Sequence, residues 1–142
     1  MVKGFSVVEL AVALLIVGIL AAIGLPRFQR LRDWIATDRA AREVTTALAL
    51  GRHSAVMQAT RARVIIAADT LRIDRLGESG WESWWRRPGP DALGVQLAVT
   101  NPVVVFGPTG MAWGASNTTV ALRRGSQVET ITLSRVGRVK RW

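Results

Sequence analysis

Few residues in this 142-residue chain are of types that do covalent or metal chemistry. Cysteine is absent, which excludes disulfides, thiolate metal sites and cysteine nucleophiles. A single histidine, His53, precludes a multi-histidine metal site within one chain, and it would have to be the base of any serine triad. The carboxylates are scattered rather than paired, and the glycines at 107, 110 and 114 lack phosphate-loop spacing. The expectation is therefore a protein that is not an enzyme, with no catalytic residue, no metal and no cofactor.

What remains is ionic and aromatic. The formal charge is +9, carried by 17 arginines and two lysines, a balance that suits anionic partners such as nucleic acid or lipid headgroups. Arg123, Arg124, Arg135, Arg138, Lys140 and Arg141 cluster near the C-terminal end with one acid, Glu129. Such a run can hold phosphates weakly and without sequence preference, or it can simply keep a terminal sheet edge soluble. Trp81, Trp84 and Trp85 beside Arg86 and Arg87 form an aromatic-basic stretch. Bases could stack there, but a cover for the head's core or a contact with another subunit is the preferred reading.

One carboxylate stands apart. Phe5 to Leu25 is a run of 21 residues whose only charge is Glu9. As a helix it would be ~31 Å long, the thickness of the bilayer hydrocarbon core. An ionised group inside such a span costs several kcal/mol (roughly 2.5–3.5 on insertion scales) unless it is paired or close to the headgroups. The chain offers only Lys3 and its own amine nearby, so a cation on another subunit is the functional expectation. The short region before the run and the acid within it also differ from an ordinary secretory signal.

Gly4-Phe5-Ser6-Val7-Val8-Glu9 followed by an unbroken apolar helix resembles the leader and mature N-terminus of type IV pilins and pseudopilins. The resemblance implies cleavage between Gly4 and Phe5 by a prepilin peptidase, methylation of the new Phe5 amine, and pairing of Glu9 with a subunit's N-terminal amine during assembly. It implies residues 1–4 as leader and 5–26 as a transmembrane and filament-core helix. Residues 27–142 would be an amphipathic helix plus a β-rich head. Gly18 and Pro26 fall where pilin helices commonly carry a glycine and a proline, and Pro26 predicts a kink or local melting over Ala22 to Pro26. The expected setting is the bacterial inner membrane, crossed once, with the head in the periplasm. Arg27, Arg30 and Arg32 outweigh Lys3, so loop charge alone favours the opposite orientation, whereas the cleavage motif works only with the leader in the cytoplasm.

The elements that position these residues follow from periodicity. Helix-compatible sequence continues from Arg27 to about Thr60, with Ala41, Val44, Leu48 and Ala55 on one side and Leu31 and Ile35 extending the stripe upstream. Strands are expected at Arg63 to Ala67, Thr70 to Arg75, Gly94 to Val99, Val103 to Phe106, Thr118 to Arg123 and Gln127 to Leu133. The last two are joined by Arg124-Gly125-Ser126. Gly77 to Asp91, rich in glycine and proline, reads as a loop. A long helix followed by strands predicts an α+β, pilin-like fold in which the helix packs on a small antiparallel β-sheet.

Val104-Val105-Phe106-Gly107-Pro108-Thr109-Gly110 and Thr130 to Val139 resemble the closing strands and Gly-Arg ending of the GspH/FimT family. Leu50-Gly51-Arg52-His53-Ser54-Ala55-Val56 resembles its helix-end motif. This implies a minor pseudopilin at or near the tip of a type II secretion pseudopilus, with other pilins or pseudopilins and membrane lipid as partners. Gly137-Arg138-Val139-Lys140 also resembles the basic ending of fimbrial T-type minor pilins, which implies the alternative: DNA binding through Arg138, Lys140 and Arg141. Lys140 keeps the charge there but lacks the forked geometry of arginine.

Overall fold

The computed structural model describes residues 4, 6–114 and 116–142. It divides into two compact units, Met1–Arg32 and Asp33–Trp142. Helix α1, Val7–Met57, contributes to both.

In the first unit α1 carries apolar side chains on every face, and none of its most apolar 18-residue window is buried. Of the kink or local melting expected over Ala22 to Pro26, local melting is not seen: the segment is helical throughout, with Pro26 inside it. Pro26 lacks an N–H, which leaves the Ala22 carbonyl without its intrahelical donor.

In the second unit α1 ends three residues short of the expected Thr60. The Thr60 N–H reaches back to the Ala55 carbonyl and the Ala59 N–H to the Val56 carbonyl, both at 3.2 Å. Ala59 takes a left-handed conformation with φ 49°. This is a Schellman stop with alanine where glycine is usual.

Among the described residues eight strands follow, in two four-stranded antiparallel sheets rather than one. The first has the order β3-β2-β1-β5, from β1 (Ala62–Ile66), β2 (Thr70–Gly77), β3 (Gly80–Pro88) and β5 (Val103–Phe106). The second has the order β4-β6-β7-β8, from β4 (Gln96–Val99), β6 (Thr118–Arg124), β7 (Gln127–Leu133) and β8 (Val139–Arg141). Asn101-Pro102 separates β4 from β5, and the chain changes sheet there. Gly77 to Asp91 is not a loop: most of it is β3, paired with β2 along its length.

The head half of α1 packs on both sheets. Ala40, Ala41, Val44, Ala47, Leu48 and Ala55 form one buried cluster with Val64, Ile66, Leu71, Ile73, Val104 and Phe106 of the first sheet, and with Val120, Leu122, Ile131 and Leu133 of the second. Full burial of a Leu, Ile or Phe contributes roughly 1.5–3 kcal/mol. The helix face is mostly alanine, which lets the backbone come close. At Gly51 the approach is closest: a Cβ there would lie 2.3 Å from Val64 Cγ2. Ile35 does not extend this stripe, because it is 51% exposed, as is its neighbour Trp34 at 50%.

Candidate functional site

The first candidate site is the start of α1. Phe5 lies outside the described residues, so no geometry bears on the Gly4–Phe5 cut; Gly4 is exposed. Glu9 sits in the first turn of the helix. Its Oε2 accepts the Ser6 N–H at 3.2 Å, and Ser6 Oγ accepts the Val8 N–H at 3.3 Å. This reciprocal arrangement is a capping box, which satisfies two helix donors that otherwise lack partners. The Ser-x-x-Glu spacing ahead of an apolar run is the sequence signal for this cap. Within one chain Glu9 therefore has a local role as well as an available negative charge. Gly18 lies on open helix surface with nothing within 4 Å of a notional Cβ.

The second candidate site is the basic ending. Its three arginines and one lysine do not act together. Arg141 turns to its own fold: its guanidinium grips Glu129 with Nε–Oε2 2.9 Å and Nη2–Oε1 3.0 Å, and Nη2 also donates to Asp38 on α1. Asp38 in turn accepts from Arg42 at 2.8 Å. Hydrogen bonding from Arg141, then from Arg42, holds the Asp38 carboxyl below its usual range. The same bonds, Glu129 first, raise Arg141 further above its ordinary value. Arg124 repeats the device. Its Nε meets Asp33 Oδ1 at 2.9 Å and its Nη1 donates to the Leu93 carbonyl. Two arginines of the second sheet thus bind two aspartates of α1.

Arg138 and Lys140 remain exposed. With Arg135 they line a shallow polar groove of about 390 Å³ that also includes Asn117, Thr132 and Ser134. The Lys140 ammonium lies 3.3 Å from the centre of the Trp142 ring. Such a groove offers cations and hydroxyls to an oxyanion.

The three short motifs quoted from the sequence meet at one end of the head. Gly51 admits Val64 and the Phe106 ring. Arg52 donates to the Gly137 carbonyl at 3.2 Å. Gly137, at φ 75°, lies where a Cβ would be 2.5 Å from the Gly110 carbonyl oxygen. Ser54 accepts from Arg75 Nε at 2.6 Å. The helix end, the Phe-Gly turn and the Gly-Arg ending are therefore one packed junction, and Gly137 serves backbone geometry there.

The tryptophans are largely occupied. Trp85 packs against the core. Arg63 lies 4.7 Å from the Trp81 ring centre, Arg75 3.4 Å from that of Trp84 and Arg61 4.1 Å from that of Trp113. Among the described residues no cluster of three or more metal-ligating side chains occurs.

No protein-family model matches the chain, and no curated protein matches it. Solved structures do. The type IV minor pilin FimU of Pseudomonas aeruginosa shares 18% identity at a TM-score of 0.63, over 73% of this chain and 86% of that one. The minor pseudopilin EpsH of the type II secretion system of Vibrio cholerae shares 15% identity at a TM-score of 0.61, over 75% of this chain and 95% of that one. The chain has the pilin-like fold of these minor subunits: a long N-terminal helix on an antiparallel β head.

Proposed function

We propose that this chain is a minor pseudopilin, a structural subunit at or near the tip of a type II secretion pseudopilus that supports protein secretion. One observation carries the reading. The first half of α1 is apolar all round, with none of its most apolar window buried, and has a single carboxylate in its first turn. Such a helix needs lipid or other helices to cover it. In this reading a prepilin peptidase cuts between Gly4 and Phe5 and methylates Phe5. The subunit waits in the inner membrane with its head in the periplasm, and Glu9 meets the amine of a neighbour on assembly. Gly18 and Pro26 adapt the helix to the filament core. Glu9→Ala is expected to stay in the membrane and be lost from sheared filaments. Normal incorporation of that variant would sink the reading.

A second reading rests on the groove around Arg138 and Lys140: a type IV pilus minor pilin that binds DNA for uptake. Arg135, Arg138 and Lys140 supply three available cations, so affinity would fall with salt at a logarithmic slope of about −0.9 per phosphate contact. The inward turn of Arg141 removes one cation from that surface and supports the secretion reading. Gel shifts of the full chain in detergent at low and high salt separate the two. Salt-sensitive binding lost in Arg138→Ala/Lys140→Ala would favour DNA uptake.

A further inference from the structure

Three of the four sheet edges are short or covered. β4 and β8 have four and three residues. β5 is sealed by the segment after it: the Trp113 N–H donates to the Val105 carbonyl at 2.7 Å, the Val105 N–H donates to Ser116 Oγ at 3.3 Å, and Phe106 bridges Ala112. β3 differs. It is nine residues long, its side chains are exposed or half-exposed throughout, and among the described residues its backbone bonds only to β2. A long bare edge is a template for another strand, and proteins seldom leave one without a use.

The side chains along β3 state what kind of strand it accepts. A bulge at Trp84 sets Ile73 opposite Trp85 and Asp74 opposite Ser83. Beyond it Arg72 stands directly opposite Arg86, a like-charge pair that is unfavourable by itself. The one carboxylate beneath, Asp74, is 2% exposed and already shared by Arg63 at 2.7 Å and Arg72 at 3.0 Å. Among the described residues Arg86 has no ion pair, its Nε donating to Thr70 Oγ1 at 3.2 Å. Arg87 follows on the opposite face, so both faces of this end of the edge are positive. At the other end Trp81 and Trp84 each present one ring side, with 36% and 43% exposure. The bulge and Pro88 hinder pairing with any strand, as edge-protecting features do, whereas the two arginines disfavour basic strands and favour acidic ones. A second copy of a chain of charge +9 is disfavoured on the same ground.

We propose that the free edge of β3 docks an extended acidic segment of a partner protein, which joins the first sheet as a fifth strand. Its backbone pairs with β3, its carboxylates sit beside Arg86 and Arg87, and its apolar residues cover Trp81 and Trp84.

The test uses the full chain in detergent micelles and a labelled probe peptide, Thr-Val-Thr-Val-Glu-Val-Glu. Saturable binding is expected, with slowed amide exchange confined to β3. N-methylation along one edge of the peptide should abolish binding, while methylation along the other edge should not. Arg86→Glu should weaken binding at least ten-fold, and Arg135→Glu, on the other sheet, should leave it unchanged. Equal binding of the lysine version of the peptide, tolerance of N-methylation on both edges, or protection elsewhere would overturn the proposal. So would efficient competition by oligothymidylate, which would make the surface one for nucleic acid. Peptide-independent dimers cross-linked through β3 would assign the edge to a second copy instead.

Discussion

Arg141 donates a hydrogen bond to Asp38 across 103 residues of chain, joining the strand at the C-terminal end of the head to the helix at its start. The guanidinium also grips Glu129 on β7 with two bonds, so one side chain ties α1, β7 and β8 together. Arg141→Ala is expected to destabilise the head by about 1–2 kcal/mol, less than a fully buried pair because both partners keep some solvent. Denaturant unfolding would show it as a lower midpoint at unchanged slope. In the DNA reading the same variant should reduce affinity far less than Arg138→Ala.

The clasp also fixes an acid sensitivity. Asp38 has its carboxyl pKa lowered in the folded protein, so its contribution is complete above the unfolded value of 3.8. It is lost as pH falls through the lower, folded value. Amide exchange at Val139 to Arg141 is expected to rise, after correction for intrinsic rates, as pH drops below about 4. Asp38→Asn should flatten that dependence. An unchanged profile in Asp38→Asn would mean that another group controls it.

The cap that Glu9 makes and the intersubunit role proposed for it can be separated by one substitution. Glutamine is accepted at the third position of a capping box but carries no charge. If the intersubunit role depends on charge, Glu9→Gln keeps the helix start and fails to enter filaments, as Glu9→Ala does. Filament incorporation of Glu9→Gln at the native level would show that the cap alone matters. Sheared-fraction immunoblots read the difference.

Ala59 bears the left-handed φ of 49° that ends α1. An L-residue with a Cβ pays roughly 1 kcal/mol for that conformation. Ala59→Gly should therefore stabilise the head by a few tenths to about 1 kcal/mol, partly offset by the greater freedom of glycine in the unfolded chain. Thermal unfolding that moves downward would contradict this.

Gly51→Ala should act in the opposite direction. Its new Cβ would meet Val64 Cγ2 at 2.3 Å inside the core. Overpacking of this kind costs about 1–3 kcal/mol, and Val64→Ala in the same chain should recover part of the loss. No recovery would place the cost in the helix backbone instead.

Much of this architecture was legible because one physical signal dominated each segment. The apolar run around Glu9, the alanine-rich stripe from Ala41 to Ala55 and the alternation in β6 and β7 each matched one period. β3 was missed for a specific reason. The bulge at Trp84 breaks its alternation, neither face is fully buried, and Pro88-Gly89-Pro90 signals a loop. The second sheet was missed because β4 and β5 are consecutive but pair with different partners, which local pattern does not encode. Ile35 suits the helix stripe by spacing, yet it is half-exposed, and the second sheet meets this part of the helix through Arg124 and Asp33 instead. At the basic ending, charge was legible but its allocation was not: nothing near Arg141 in sequence announces Asp38.

That allocation gives folding of the head a direction. Asp33 and Asp38 lie on the part of α1 nearest the apolar segment, while their partners Arg124 and Arg141 follow 91 and 103 residues later. Until those residues arrive, Asp33 lacks its arginine, Asp38 has only Arg42 of its own helix, and the alanine face can meet the first sheet but not the completed second one. A chain delivered across a membrane from its N-terminal side would therefore lodge its apolar segment first and lock its head last. The arginine clasps close last: a chain cut short before Arg124 lacks both latches on the helix.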